Sequence, residues 1–100
     1  SNYSTEGINR MTALTKMKTR TMKSLEYGSE LKIAMHVITK HNWEYYLEEP
    51  DENGISFGLV LGFEDEMGDV LLDEIRPYAI CYAEGETLND IMPATNWKWV

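Results

Sequence analysis

The side chains with chemical reach in this sequence are two histidines, one cysteine, seventeen carboxylates and eleven aromatics. His36 and His41 stand five apart, and Cys81 is far along the chain. A closed zinc site needs four nitrogen or sulfur ligands, more than these residues supply, so no metal is expected. Asp51-Glu52-Asn53-Gly54 has the look of a calcium-loop opening. The glycine comes too early, however, and Gly62 stands where the closing glutamate is required. Carboxylate pairs such as Glu44 with Glu48 and Glu64 with Glu66 would share a strand face. Acid/base catalysis further requires one carboxyl with a raised pKa in a cleft. With fourteen acids in residues 41–100, pairs arise by chance. No serine or threonine has a histidine at a telling distance, and Gly58 and Gly62 lie inside a strand pattern rather than before a helix, so no phosphate loop is expected. No catalytic residue and no cofactor is assigned.

Binding chemistry is better represented. Trp43, Tyr45 and Tyr46 stand together, as do Tyr78 and Tyr82, and Trp97 and Trp99. Such side chains bury large areas at small entropic cost and serve as anchors when they are not core. Tyr46 is out of phase with its neighbours and is expected to be exposed. Trp97 and Trp99 are expected to share one face of an edge strand.

Charge is unevenly distributed. Residues 1–40 carry seven basic and three acidic side chains, whereas residues 41–100 carry two basic and fourteen acidic ones, and the formal net charge is −8. Two acidic clusters stand out: Glu48, Glu49, Asp51 and Glu52, then Glu64, Asp65, Glu66 and Asp69. They point towards a basic partner or towards neutralisation within the fold. Lys16, Arg20 and Lys23 would form a basic strip on a helix, for which an ordinary solvated face outweighs a nucleic-acid contact.

The elements that position these residues follow from periodicity. Met11, Leu14, Met22 and Leu25 share a helical face, predicting a helix over Thr5–Tyr27 that Gly28 stops. From Leu31 the period becomes two. Strands are predicted over Leu31–Thr39, Trp43–Leu47 and Ile55–Phe63, with Asn42 and Asn53-Gly54 as turns. Phe57, Leu59, Leu61, Ile33 and Met35 are the expected core. The stretch Glu64–Asp69 reads as a second turn, with a strand resuming at Val70–Leu72. A helical turn at Asp73–Ile75, a strand over Tyr78–Ala83, a short capped helix near Thr87–Ile91 and a strand at the tail follow. Gly58 and Gly62 on one strand face predict close packing there, most simply by the first helix. The expected architecture is one α+β domain over residues 1–100, an antiparallel four- to five-stranded meander with an N-terminal helix packed on one face. The longest apolar run, Ile55 to Phe63, is too short to cross a bilayer. The single cysteine fits a reducing cytoplasm and reads as an inert thiol.

Taken as a string, Trp43-Glu44-Tyr45-Tyr46, Phe57-Gly58-Leu59-Val60-Leu61-Gly62-Phe63, Glu64-Asp65-Glu66-Met67-Gly68 and Leu72-Asp73-Glu74-Ile75 resemble a family of small bacterial, plasmid and phage proteins catalogued as a domain of unknown function. Those proteins have a Trp-x-Tyr strand, a Phe-Gly-x-Val-x-Gly strand and a Glu-x-Glu-x-Gly turn. The resemblance covers about residues 43–75. This chain has Asp69 where the family usually has an aromatic residue. What the resemblance implies is a fold and a mobile-element setting, often beside genes that counter host defence, and no catalytic residues.

These readings converge on a non-enzymatic protein-binding module of phage or mobile-element type, with anti-defence inhibition as one form of that role. Its acidic surface would engage a basic host protein through Glu64, Asp65, Glu66, Asp69, Tyr46, Trp97 and Trp99. The alternatives are nucleic-acid binding through the basic N-terminal segment, which the acidic body opposes, and a small hydrolase or carbohydrate-acting enzyme.

Overall fold

The computed structural model describes residues 17–100. Among these residues seven strands form one antiparallel sheet: β1 (Arg20–Ser24), β2 (Glu30–Thr39), β3 (Glu44–Glu48), β4 (Ile55–Leu61), β5 (Asp65–Leu71), β6 (Ala79–Glu84) and β7 (Trp97–Trp99). The spatial order is β5-β4-β3-β2-β1-β7, and β6 also pairs with β2. The long β2 makes this possible. One side of it pairs with β3, while the other is divided between β1 at Glu30–Ile33 and β6 at Met35–Thr39. A helical turn, α1 (Leu72–Ile75), follows β5, and 3-10 turns cover Arg76–Tyr78 and Gly85–Asp90.

This corrects the α+β expectation. The predicted helix over Thr5–Tyr27 begins outside the described residues. Its described part is an extended stretch, strand β1 and a turn. Met22 is buried in β1, whereas Leu25 is exposed beyond it, so their helical spacing did not reflect a shared face. The acidic stretch Glu64–Asp69 is likewise not a turn. Leu61 pairs with Asp65, so the connection is only Gly62-Phe63-Glu64, and Asp65–Asp69 already belong to β5.

Turn chemistry explains the β3–β4 hairpin. Gly54 has φ of 76°, which the absence of a side chain permits. The Asp51 carboxylate accepts the backbone N–H groups of Asn53 at 2.8 Å and Ile55 at 3.0 Å, closing an Asx-type turn.

Both faces of the sheet are covered at its centre, giving two apolar clusters. One joins Met35, Val37, Tyr45 and Leu47 to Leu72 and Ile75 of α1 and to Tyr82. The other joins Met22, Leu31, Ile33, Tyr46 and Leu59 to Leu88 and Ala94 of the chain after β6. The β2–β3 register shifts between Ile33 and Met35. This bulge is why Ile33 and Met35, spaced for one face, supply opposite clusters. Cover stops before the β5 edge, where Phe57, Met67 and Leu71 are exposed. Phe57 is therefore not the core residue that alternation predicts.

Candidate functional site

The site is assembled where the β4–β5 hairpin meets β3. Trp43 and Tyr45 point to the α1 face of the sheet, and Gly62 lies beneath the indole: a Cβ at Gly62 would lie 2.6 Å from the Trp43 ring. Gly58 is equally constrained, its hypothetical Cβ falling 2.1 Å from the Tyr46 carbonyl oxygen. Close packing over these glycines is real, but it comes from β3 and not from a helix. Phe63 stands edge-on to Trp43, with ring centroids 5.2 Å apart and planes at 82°. Phe63 is 94% exposed, a large apolar area left in water at a turn.

Two open clefts share this aromatic pair. One, of about 620 Å³, runs from Trp43 and Phe63 to Tyr45, His41, Glu74 and Tyr78. The other, of about 200 Å³, runs from the same two rings to Glu64, Glu66 and Gly68. Together they form a groove with aromatic walls and carboxylate rims, an arrangement that attracts a cation both by charge and by ring quadrupole. At its far end the Lys40 ammonium already lies 5.3 Å from the Tyr78 ring centre.

The two acidic clusters behave differently. In the first, Asp51 closes its turn, Glu48 accepts the Lys32 N–H at 2.8 Å and Glu49 accepts the Met17 N–H at 2.9 Å. In the second, none of Glu64, Asp65, Glu66 and Asp69 has a hydrogen-bonding or ion-pairing side chain among the described residues. The three ion pairs found there are Lys18–Glu86, His36–Glu44 and Arg76–Asp73. Met67 and three of the cluster's carboxylates line β5, the edge strand.

The remaining predicted residues divide. Tyr46 is buried, not exposed, because β3 lies mid-sheet with cover on both faces. Trp97 and Trp99 lie on β7 and both pack, half-buried, against the second cluster. Trp99 donates its indole N–H to the Ile91 carbonyl at 2.8 Å and holds the Arg20 guanidinium 4.4 Å from its ring centre. Trp97 shares a cleft of about 340 Å³ with Asp65, Glu66, Met67 and Tyr27, so the curved sheet brings residues of its two edge strands into one cleft. Arg20 and Lys23 sit three apart on a strand and so face opposite sides, which dissolves their part of the basic strip; Lys16 lies outside the described residues. Phe63, Trp43 and Tyr78 were missed as site residues. Phe63 next to Gly62 and Glu64 was the available signal, a large aromatic inside a polar turn.

A second polar cluster lies on the opposite face. His36 Nε2 is 2.7 Å from Glu44 Oε1, and the Tyr46 hydroxyl is 3.0 Å from the same oxygen and 2.8 Å from the Met92 carbonyl. His36 Nδ1 is buried without a partner among the described residues. A proton on Nε2 therefore serves Glu44 and leaves only a lone pair, not an orphaned N–H, at Nδ1. The hydrogen bond with His36 holds the Glu44 carboxyl below its ordinary range, helped by Tyr46 and opposed by burial. Burial, reinforced by the Glu44 charge, pushes the Tyr46 phenol far up. A carboxylate stabilised in this way is a weak base. The cluster acts as a clamp tying β2 and β3 to the chain near Met92.

Comparison with family models, curated proteins and solved structures finds no match. No helix among the described residues is long and apolar enough to cross a membrane.

Proposed function

We propose that this chain is a non-enzymatic protein-binding module that uses the acidic β5 edge and the adjoining aromatic groove to engage a basic host protein in the cytoplasm. The observation that carries the reading is the contrast between the two acidic clusters. Three of the four carboxylates around the β3–β4 turn, Glu48, Glu49 and Asp51, are occupied within the fold, whereas Glu64, Asp65, Glu66 and Asp69 have no such role among the described residues. Four carboxylates crowded together repel one another and add nothing to folding. Beside them stand Phe63 and Trp43, which supply the apolar contact a binding surface needs. The resemblance noted above implies a phage or mobile-element setting for such a module, with inhibition of a host defence protein as one form of that binding.

Reversing Glu64, Asp65 and Glu66 to lysine tests this. Affinity capture from host lysate, with the native chain and the triple variant side by side, should retain a basic protein on the native chain alone. Its association with the native chain should be fast at low salt and slow as salt rises. A partner retained equally by both forms at low salt makes this edge a solvated rim and overturns the assignment.

A further inference from the structure

Strand β5 is the last in the sheet, and among the described residues nothing pairs with its outer side. Alternate residues of this seven-residue edge strand thus present their N–H and C=O groups to water. Edge strands are commonly guarded by charge, and here the guard has one sign. Asp65, Glu66 and Asp69 repel an acidic strand and a second copy of this acidic chain, yet they attract a strand bearing cations.

Gly68 is the second observation. It lies at the centre of β5, opposite Gly58, in a position where glycine weakens a strand. The fold does not require it: its φ is not positive, and a Cβ there would meet nothing within 4 Å. A glycine without a structural reason in an edge strand leaves a notch for an approaching side chain or backbone. That notch opens into the cleft walled by Trp43 and Phe63.

We propose that the basic partner binds by adding an extended segment to β5 as a further strand. Side chains alternate along such a segment. One row would lie beside Asp65, Met67 and Asp69, fitting basic residues around an apolar one. The other would lie beside Glu66, Gly68 and Val70, with a large side chain over the glycine notch and against the Trp43–Phe63 wall. The partner motif is thus a short extended run with lysine or arginine four residues apart, an apolar residue midway between them and a large side chain next to it. This inference rests on the acidic-edge reading above and adds the mode of binding to it.

A synthetic peptide with lysines four residues apart, a valine midway between them, a tyrosine next to the valine and lysine at the other positions is the probe, together with two twins, each N-methylated on one alternate set of amides. All three carry the same charge. Strand addition uses only one set of peptide N–H groups, so one twin should bind like the parent, and the other about tenfold or more weakly, from the loss of several backbone hydrogen bonds. Amide exchange in the full chain should slow at alternate residues of β5 when the parent peptide is added. If both twins bind as well as the parent, with a salt-sensitive affinity, strand addition is overturned while the acidic-edge reading stands. If the parent fails to bind at low salt, the acidic-edge reading fails too. Protection of the outer β5 amides in a dimer of the free chain would show that a second copy takes the edge, and would also overturn the proposal.

Discussion

Trp43 fills the space a side chain at Gly62 would need, its ring carbons lying 2.6–2.7 Å from the position of a Cβ there. Gly62→Ala must therefore displace the indole, and with it the wall of the aromatic groove. A destabilisation of about 1–3 kcal/mol is expected, the range for overpacking. Gly68→Ala is the matched control, because its Cβ would enter open space. It should be neutral or stabilising by up to about 1 kcal/mol through the more restricted unfolded chain. Urea denaturation of the two variants checks the pair, and equal losses would place the Trp43–Gly62 contact outside the stability of the fold.

Leu59 and Phe57 occupy the same face of β4, but only Leu59 lies under cover: they are 3% and 40% exposed. Leu59→Ala should cost about 2–5 kcal/mol, as for other emptied leucine sites. Phe57→Ala should cost less, because a large part of its ring is already in solvent. Thermal melts would reverse this ranking if something not visible in the chain alone covered the outer end of the sheet.

Stability on the acid side should depend on Glu44. Its folded pKa lies below the unfolded value, chiefly through the hydrogen bond with His36. Its contribution is therefore complete above the unfolded carboxylate range and is lost as pH falls through the lower folded value. Glu44→Gln should flatten the loss of stability between about pH 5 and pH 2 relative to the native chain. An unchanged slope in urea midpoints across that window would mean the clamp does not couple to folding.

Asp51 and Glu66 are both exposed acids in the same hairpin system, with opposite roles. Asp51 accepts two backbone N–H groups, so Asp51→Ala should cost about 1 kcal/mol. Glu66 accepts none among the described residues, and Glu66→Ala should change stability by about 0.5 kcal/mol or less. Association with the captured basic partner should show the inverse pattern, weakened by Glu66→Ala and little affected by Asp51→Ala.

Several elements were legible because local chemistry and final structure agree. Ile55 to Leu61 alternates cleanly and is β4; Asn53-Gly54 demands a turn and forms one; the apolar run after Gly28 is β2. β5 was not legible beyond Val70–Leu71, since Asp65-Glu66-Met67-Gly68-Asp69 combines charge with glycine and has the composition of a turn. It is a strand because β4 offers it a template and its outer side needs no apolar cover. β1 carries a helical pattern because Met22 and Leu25 happen to fit one helical face, a coincidence that pairing with β2 and β7 overrides.

Side-chain phase shows the same division. Alternation along β3 places Tyr46 opposite Trp43 and Tyr45, which is correct, but exposure does not follow from it. In a sheet covered on one face the out-of-phase tyrosine would be wet. Here the chain after β6 covers the second face and gives the hydroxyl a carbonyl partner at Met92.

By itself, the sequence determined the acidic body, the positions of its two carboxylate clusters, the β2–β4 strands and the tight β3–β4 turn. Each depends on composition or on interactions between residues close in the chain. Only the tertiary structure decided which cluster is occupied within the fold, because the acceptor roles of Glu48 and Glu49 depend on Lys32 and Met17, distant in sequence. It also decided that Phe63 and Trp43 meet, that Tyr46 is buried, and that β5 is left at the edge. Those outcomes follow from strand order and from how far the covering segments reach, and neither can be fixed by interactions between chain neighbours.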